Sequence, residues 1–310
     1  MATVRPPGPD DFAAIVVMGE AFDRALTGTG DWSEEDVAHD WRELADPERD
    51  AWLVEEDGAV VGYATFQDDA EGCFEADGYV HPERFGRGIG SLIVELTERR
   101  AAEQLEIVTL PRVVMQNTVM HVDRAARDLL EGRGYRPIRH FLRMQIDMAG
   151  APPASVWPDG VSVAPFHPDA DLVEVHACLH EAFAVEWTFR PESLEAWRRR
   201  KLEDPRFDAS LWAVAREGRE VCGVALSTAG QFDMGFVNAL AVRPAWRRRG
   251  LGLALLRQAF AWFWEREERR VGLGVDTENP TDALRLYERA GMRAVWQADV
   301  HEKVLRGESR

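Results

Sequence analysis

The sequence predicts an α/β protein made of two related domains in tandem. Three observations carry that expectation: the length of the chain, an internal repeat, and glycine-rich bends that join an apolar strand to an apolar helix in each half. At 310 residues and 45% hydrophobic, the chain can bury a substantial core but is long for one domain of this kind. The repeat accounts for the excess. Val60–Phe66 and Val221–Ser227 are similar strands, each preceded by an apolar strand at Ala51–Glu55 and Ser210–Arg216. Gly78–Pro82 followed by Gly86, Gly88 and Gly90 then occupies the place of Leu240–Pro244 followed by Gly250 and Gly252. Ala126–Tyr135 runs parallel to Ala283–Met292.

Taken in order, each half opens on a short strand, Ala2–Arg5 and Val161–Pro165. Helical spacing of apolar residues follows over Asp10–Leu26 and Asp169–Ala184, with second helices near Ser33–Ala45 and Pro191–Leu202. The central helices span Gly90–Ala102 and Gly252–Glu268, the latter with Leu253, Leu256, Ala259, Phe260 and Phe263 on one face. Trp262 and Trp264 on that helix read as packing residues. Before the last helix of the first half, either Leu105–Leu110 or Arg112–Asn117 is the strand, and Arg112–Gln116 is preferred. In the second half a strand at Val271–Asp276 leads through Asn279 and Pro280 to a helix over Thr281–Ala290, stopped by Gly291. Met148–Gly160 is rich in Pro, Ala and Gly and reads as the linker, giving domains 1–147 and 161–310.

The bend at Arg247, Arg248, Arg249, Gly250, Leu251 and Gly252 has the chemistry of a pyrophosphate cradle. Glycines let backbone N–H groups approach an anion, the first helical turn supplies unpaired donors and a positive dipole end, and the arginines add charge. Arg247, Gly250 and Gly252 match Arg/Gln-x-x-Gly-x-Gly/Ala, and Asn279, Ala283, Tyr287 and Gly291 follow at four-residue steps. On these two motifs the chain resembles the GCN5-related N-acetyltransferase family. The resemblance implies, for each domain, a central, mostly antiparallel twisted sheet flanked by helices. It implies transfer of an acetyl group from acetyl-CoA to a primary amine of a small molecule, by direct attack through a tetrahedral intermediate and without a metal. Leu240, Ala241 and Val242 would polarise the thioester carbonyl from a splayed strand, Arg247–Leu253 would hold the pyrophosphate, and Asn279 and Ala283 would contact the cofactor. Tyr287 matches the general acid. Asn279 serves equally well, on local grounds, as a cap for the helix beside Pro280.

Many members of that family use a Glu on the strand before the loop as general base. Here Phe232–Leu240 contains none, and Asp233 is the nearest carboxylate, with Glu186 and His180 as further candidates. A water relay, or an amine arriving neutral, would dispense with a base. Phe183, Trp187, Phe189 and Trp197 fall in the expected acceptor region, where they either suit an acceptor with an apolar part or pack the core.

In the first half Phe85, Val122 and Leu130 stand where Arg247, Asn279 and Tyr287 stand in the second. The first domain is therefore expected to be catalytically silent, a layout shared with double-domain members of the family. A sensor that binds acetyl-CoA without reacting, or an enzyme acting on a protein or peptide amine, are the alternatives. A dinucleotide-dependent dehydrogenase is excluded, since no Gly-x-Gly-x-x-Gly follows the first strand.

The net charge of −17 is concentrated in residues 1–150, which hold 15 Arg against 30 Asp and Glu, and this speaks against nucleic-acid partners. The absence of a long apolar run or a leader-like N-terminus gives the expectation of a cytoplasmic protein with no membrane contact, and a monomer and a homodimer both stay open. Cys73, Cys178 and Cys222 are scattered and read as small buried apolar residues, neither disulfides nor zinc ligands. Lys201 and Lys303 are the only lysines against 35 arginines, a bias attributed to codon usage.

Overall fold

The protein was analysed as a computed structural model describing residues 2–30, 32–187, 189–279 and 281–308. The chain forms two compact units, Met1–His140 together with Trp296–Arg310, and Phe141–Val295.

The first unit contains strands β1 (Thr3–Arg5), β2 (Ala51–Glu56), β3 (Ala59–Asp68), β4 (Cys73–Val80) and β5 (Val113–Met120), and helices α1 (Phe12–Thr27), α2 (Glu34–Glu43), α3 (Pro47–Asp50), α4 (Ile89–Ile107) and α5 (Arg124–Gly132). Neighbouring strands from β1 to β4 pair antiparallel, whereas β4 and β5 run parallel from Cys73↔Val114 to Glu75↔Gln116. The preferred strand after α4 is the one that forms, and Leu105 belongs to the end of the helix. Helix starts follow their side chains: Ser33 accepts from the Asp36 N–H at 3.1 Å and Asp123 from that of Ala126 at 2.9 Å.

The second unit repeats the plan with β7 (Val161–Pro165), α6 (Pro168–Phe183), α7 (Leu194–Leu202), β8 (Ala213–Glu217), β9 (Glu220–Gln231), β10 (Met234–Val242), α8 (Leu251–Glu265), β11 (Arg270–Asp276) and α9 (Ala283–Arg289). Strands β7 to β10 pair antiparallel and β10 and β11 parallel.

Two long strands that the sequence reading did not identify complete the units: β6 (Arg136–Asp147) and β12 (Arg293–Arg306). Residues Phe141–Asp147 of β6 pair antiparallel with β11, and Ala298–Arg306 of β12 pair antiparallel with β5. Each repeat thus receives its last strand from the far end of the other repeat's sequence, and the units differ from the expected bounds of 1–147 and 161–310. The expected linker has no regular structure but belongs to the second unit: Met148 joins its core, and the Ser155 hydroxyl donates to the Ala254 carbonyl at 2.9 Å.

In the second unit α8 covers one sheet face with Leu251, Leu255, Leu256, Ala259, Phe260 and Phe263, while α6 and Trp197 cover the other. The three cysteines are buried and free, and burial pushes the Cys178 thiol up to about 12. In the first unit Arg100 Nε donates to Asp50 Oδ1 at 2.6 Å with both side chains at most 7% exposed. Arg100 Nη1 also donates to Glu103 Oε2 at 3.1 Å, so removing Asp50 costs one buried charged hydrogen bond without orphaning the guanidinium, and Asp50→Ala should lower unfolding stability by about 1.5–3 kcal/mol. Urea unfolding followed by circular dichroism measures this, and a loss under about 1 kcal/mol would contradict it.

Candidate active site in the second unit

The site begins where two strands part. Pairing of β10 with β11 is confined to Gly235↔Val271 and Phe236↔Gly272, and the register of β10 on β9 shifts between Val237 and Ala239, which makes Asn238 a bulged residue. Beyond the bulge β10 keeps β9 on one side, with Leu240↔Ala225, Ala241↔Val224 and Val242↔Gly223, and its other edge pairs with no strand among the described residues. Alternate N–H groups of an antiparallel strand point away from its partner, so this segment offers main-chain donors to whatever lies in the cleft. The splay expected for Leu240, Ala241 and Val242 is present.

The chain then turns through Arg247–Gly250 into α8. Gly250 is the N-cap at φ 87°, a conformation open to glycine at little cost, and no side chain caps the helix. The N–H groups of the first turn are therefore not consumed within the protein fold. The three arginines part company. Arg247 Nε donates to the Val242 carbonyl at 3.0 Å and its Nη2 to the Ala182 carbonyl at 2.8 Å, fastening the loop to the end of α6. Arg249 lies 3.9 Å from Glu217 and lines neither cavity described below. Arg248 is exposed at φ 65° and lines the larger of the two cavities described below, as do Arg285 and Arg289 from α9. Of the three arginines expected around the anion, Arg247 and Arg248 line the larger cavity, Arg247 being tied to two carbonyls, and Arg249 does not.

Two cavities open on either side of this apparatus. One, of about 920 Å³, is lined by Leu240, Ala241, Val242, Arg247, Arg248, Gly250, Leu251, Gly252 and Leu253. The other, of about 610 Å³, is lined by aromatic and charged residues of α6, α7 and the segment between them, including His180, Phe189 and Trp197. Phe183, Glu186, Leu240, Thr281, Ala283 and Tyr287 line both and form their common wall. Of the four aromatics expected near an acceptor, Trp187 is the one that does not line the smaller cavity; it packs against Phe141 with ring centroids 6.3 Å apart.

Tyr287 is 8% exposed, and burial followed by the Glu186 charge raises its phenol well above the ordinary value. Glu186 is raised as well, first by burial, with Asp276 adding to the rise and the hydrogen bond from Asn279 and the Arg247 charge opposing it. Asn279 Nδ2 donates to Glu186 Oε1 at 2.9 Å, while its Oδ1 accepts from the Thr281 N–H at 2.9 Å. Asn279 therefore orients Glu186 and does not cap a helix. Helix α9 starts at Ala283, two residues later than expected, after Asp282 at φ 60°; Pro280 lies outside the described residues. Asp233 does not line this wall: it sits exposed at φ 55° in the tight turn between β9 and β10 and lines neither cavity. Its sequence distance from Leu240 concealed its position at the opposite end of the strand. Asn238 is tied by Thr228 at 3.0 Å and Gln231 at 2.8 Å. His180 lines the smaller cavity with its ring centroid 4.0 Å from that of His176.

The first unit keeps the loop and the parting of its parallel strands, β4 and β5 pairing only over Cys73–Glu75, but not the tyrosine. Gly88 caps α4 at φ 86°, within a degree of Gly250, but Leu130 is 2% exposed in the core at the position matching Tyr287.

The model of the acetyltransferase (GNAT) family matches residues 18–135 and again 172–292. A mycothiol acetyltransferase of Catenulispora acidiphila is 27% identical over 94% of this chain and 95% of its own. One from Amycolatopsis mediterranei is 30% identical over 76% and 78%. Among solved structures, a GCN5-related N-acetyltransferase from Sphaerobacter thermophilus is 32% identical with a TM-score of 0.86, covering 100% of this chain and 98% of that one. A tandem GNAT protein from the clavulanic acid biosynthesis pathway, at 19% identity and a TM-score of 0.74 over the full length of both, shares the two-domain fold. With the family model matched twice and the splayed strand and glycine-capped helix in place, the chain belongs to the GNAT family of acetyltransferases.

Proposed function

We propose that the unit Phe141–Val295 transfers an acetyl group from acetyl-CoA to a primary amine of a small molecule, and that the first unit carries out no transfer. The observation that supports this most is the common wall: two cavities of different lining meet at Glu186 and Tyr287, as a reaction joining two substrates requires. The larger cavity suits the donor. Main-chain N–H groups at Gly250–Leu253 and the Arg248 charge would hold its diphosphate, and the open edge of Leu240–Val242 would orient its thioester. Acetyl-CoA supplies the activated acyl group; the protein positions it and manages protons. The smaller cavity, about 610 Å³, is the size of small-molecule sites and would receive the amine. The mycothiol acetyltransferases among the relatives support a small-molecule acceptor over a protein one.

An amine reaches the site as an ammonium ion and must lose a proton before it can attack. Glu186 is the carboxylate on the common wall, its pKa raised toward a base's working range and its oxygen fixed by Asn279. Only the ionised carboxylate accepts a proton, so kcat/KM should fall as pH drops through the raised pKa of Glu186. Glu186→Gln should remove that acid limb and lower kcat about a hundredfold, with acetyl-CoA affinity changed less than twofold. An unchanged pH profile in the variant would assign the proton elsewhere. The reading as a whole is tested by calorimetry with acetyl-CoA together with release of free CoA in the presence of a panel of primary amines. Uptake without release in every case would favour the sensor alternative, and no uptake would refute the site.

A further inference from the structure

The smaller cavity holds a cation that has no ion-pair or hydrogen-bond partner among the described residues. Lys201 lies one turn after Trp197 on α7, and the 3% exposure of Trp197 in the core fixes which face of the helix looks inward. Lys201 consequently lines the smaller cavity, half-buried, and takes no part in the common wall with the larger one. Its neighbours are already matched in charge. Arg200 pairs with Glu192, Arg206 with Asp204 at 3.3 Å, and Arg198 with Glu203 at 3.4 Å. Among the described residues Lys201 forms no ion pair or hydrogen bond, whereas the chain's other lysine, Lys303, lies 2.8 Å from Glu98. Burial, then the Arg200 charge, lowers the Lys201 pKa against the opposing pull of Asp204 and Glu192, the signature of an ammonium lacking its anion. In a chain with 35 arginines and two lysines, this position carries the compact ammonium and not the guanidinium.

Resting on the acetyl-transfer reading above, we infer that the acceptor carries an anionic group, a carboxylate or phosphate, remote from its amine, and that Lys201 binds it. The cavity then has two complementary ends. The Glu186 carboxylate on the common wall faces the amine beside Tyr287, and the Lys201 ammonium holds the acid group away from the reacting atoms. A substrate with both groups would offset the cost of burying each protein charge, while an uncharged alkylamine would satisfy one end alone.

The test uses the full chain and three amines of equal length: an alkylamine, an ω-amino carboxylate and an aminoalkyl phosphate. Initial rates of CoA release are measured for the unmodified protein, Lys201→Met and Lys201→Arg. The expected result is a kcat/KM at least tenfold higher for one of the anionic amines than for the alkylamine, and which of the two wins identifies the group. Lys201→Met should erase that preference through KM, leaving kcat, the alkylamine rate and the KM for acetyl-CoA within twofold, and Lys201→Arg should recover part of it because the charge is kept. Equal use of charged and neutral amines by the unmodified protein, or an equal loss for all amines in Lys201→Met, would overturn the inference. Absence of turnover with every amine, alongside acetyl-CoA uptake by calorimetry, would instead overturn the transfer reading on which it stands.

Discussion

Replacing Tyr287 by Phe should lower kcat by about ten- to a hundredfold while the affinity for acetyl-CoA stays within twofold. The size follows from what the phenol can do in its setting. A thiolate leaving group has an ordinary pKa near 8.5, and the Tyr287 phenol is raised above its own ordinary value of 10 by burial and by Glu186. Complete proton transfer from phenol to thiolate would run uphill by about 2 kcal/mol or more. In the proposed reaction Tyr287 would therefore stay protonated and serve as a hydrogen-bond donor to charge developing on the departing sulfur. A hydrogen bond to a charged group is worth about 1.5–3 kcal/mol, which is the stated range in rate. Loss of one oxygen leaves the ring of a residue 8% exposed in place, so the fold and the donor cavity are kept. Rates of CoA release with calorimetry on the same variant measure both quantities, and an unchanged kcat would remove Tyr287 from the chemistry.

The sequence exposed the parts of this site whose function depends on local chain geometry. Gly250 and Gly252 between an apolar strand and an apolar helix specify a strand, a bend and a helix N-terminus within fifteen residues, and β10, the left-handed Gly250 and α8 follow that pattern. Tyr287 was readable because the four-residue steps from Asn279 share one helical register. What remained hidden depends on distant segments meeting. In the sequence Glu186 stands only as a further candidate, because the Asn279 amide that orients it lies 93 residues away. The Arg247 guanidinium looked available to a ligand until its two carbonyl partners, one of them 65 residues away, were in view. Asp233 was favoured by proximity along the chain, a poor guide in a strand, where a separation of seven residues spans about 23 Å. Strands β6 and β12 escaped notice because most of their residues are only partly covered, which blunts the alternation that marks a half-buried strand. No pattern within one repeat could reveal that its sheet is closed by chain belonging to the other.

Gly250→Glu should weaken acetyl-CoA binding at least a hundredfold without unfolding the protein. A Cβ at Gly250 meets nothing within 4 Å, so the substitution carries only the strain of a left-handed backbone at φ 87°, about 1–2 kcal/mol. The new carboxylate is then held beside the first-turn N–H groups of α8, where a negative charge is favoured. It satisfies the cradle from within and repels the diphosphate that would otherwise occupy it. Gly250→Ala separates strain from charge: it carries the same backbone penalty with no anion and should weaken binding less than tenfold. The first unit supplies a second control, since Gly88 has the same conformation, φ 86°, at the start of α4 and also meets nothing within 4 Å. Gly88→Glu imposes equal strain on the unit proposed to be silent and should leave turnover within twofold. Calorimetry and thermal unfolding with and without acetyl-CoA distinguish these cases. If Gly250→Glu retains full affinity, the α8 cradle does not hold the diphosphate; if Gly88→Glu abolishes turnover, the assignment of the chemistry to the second unit alone is wrong.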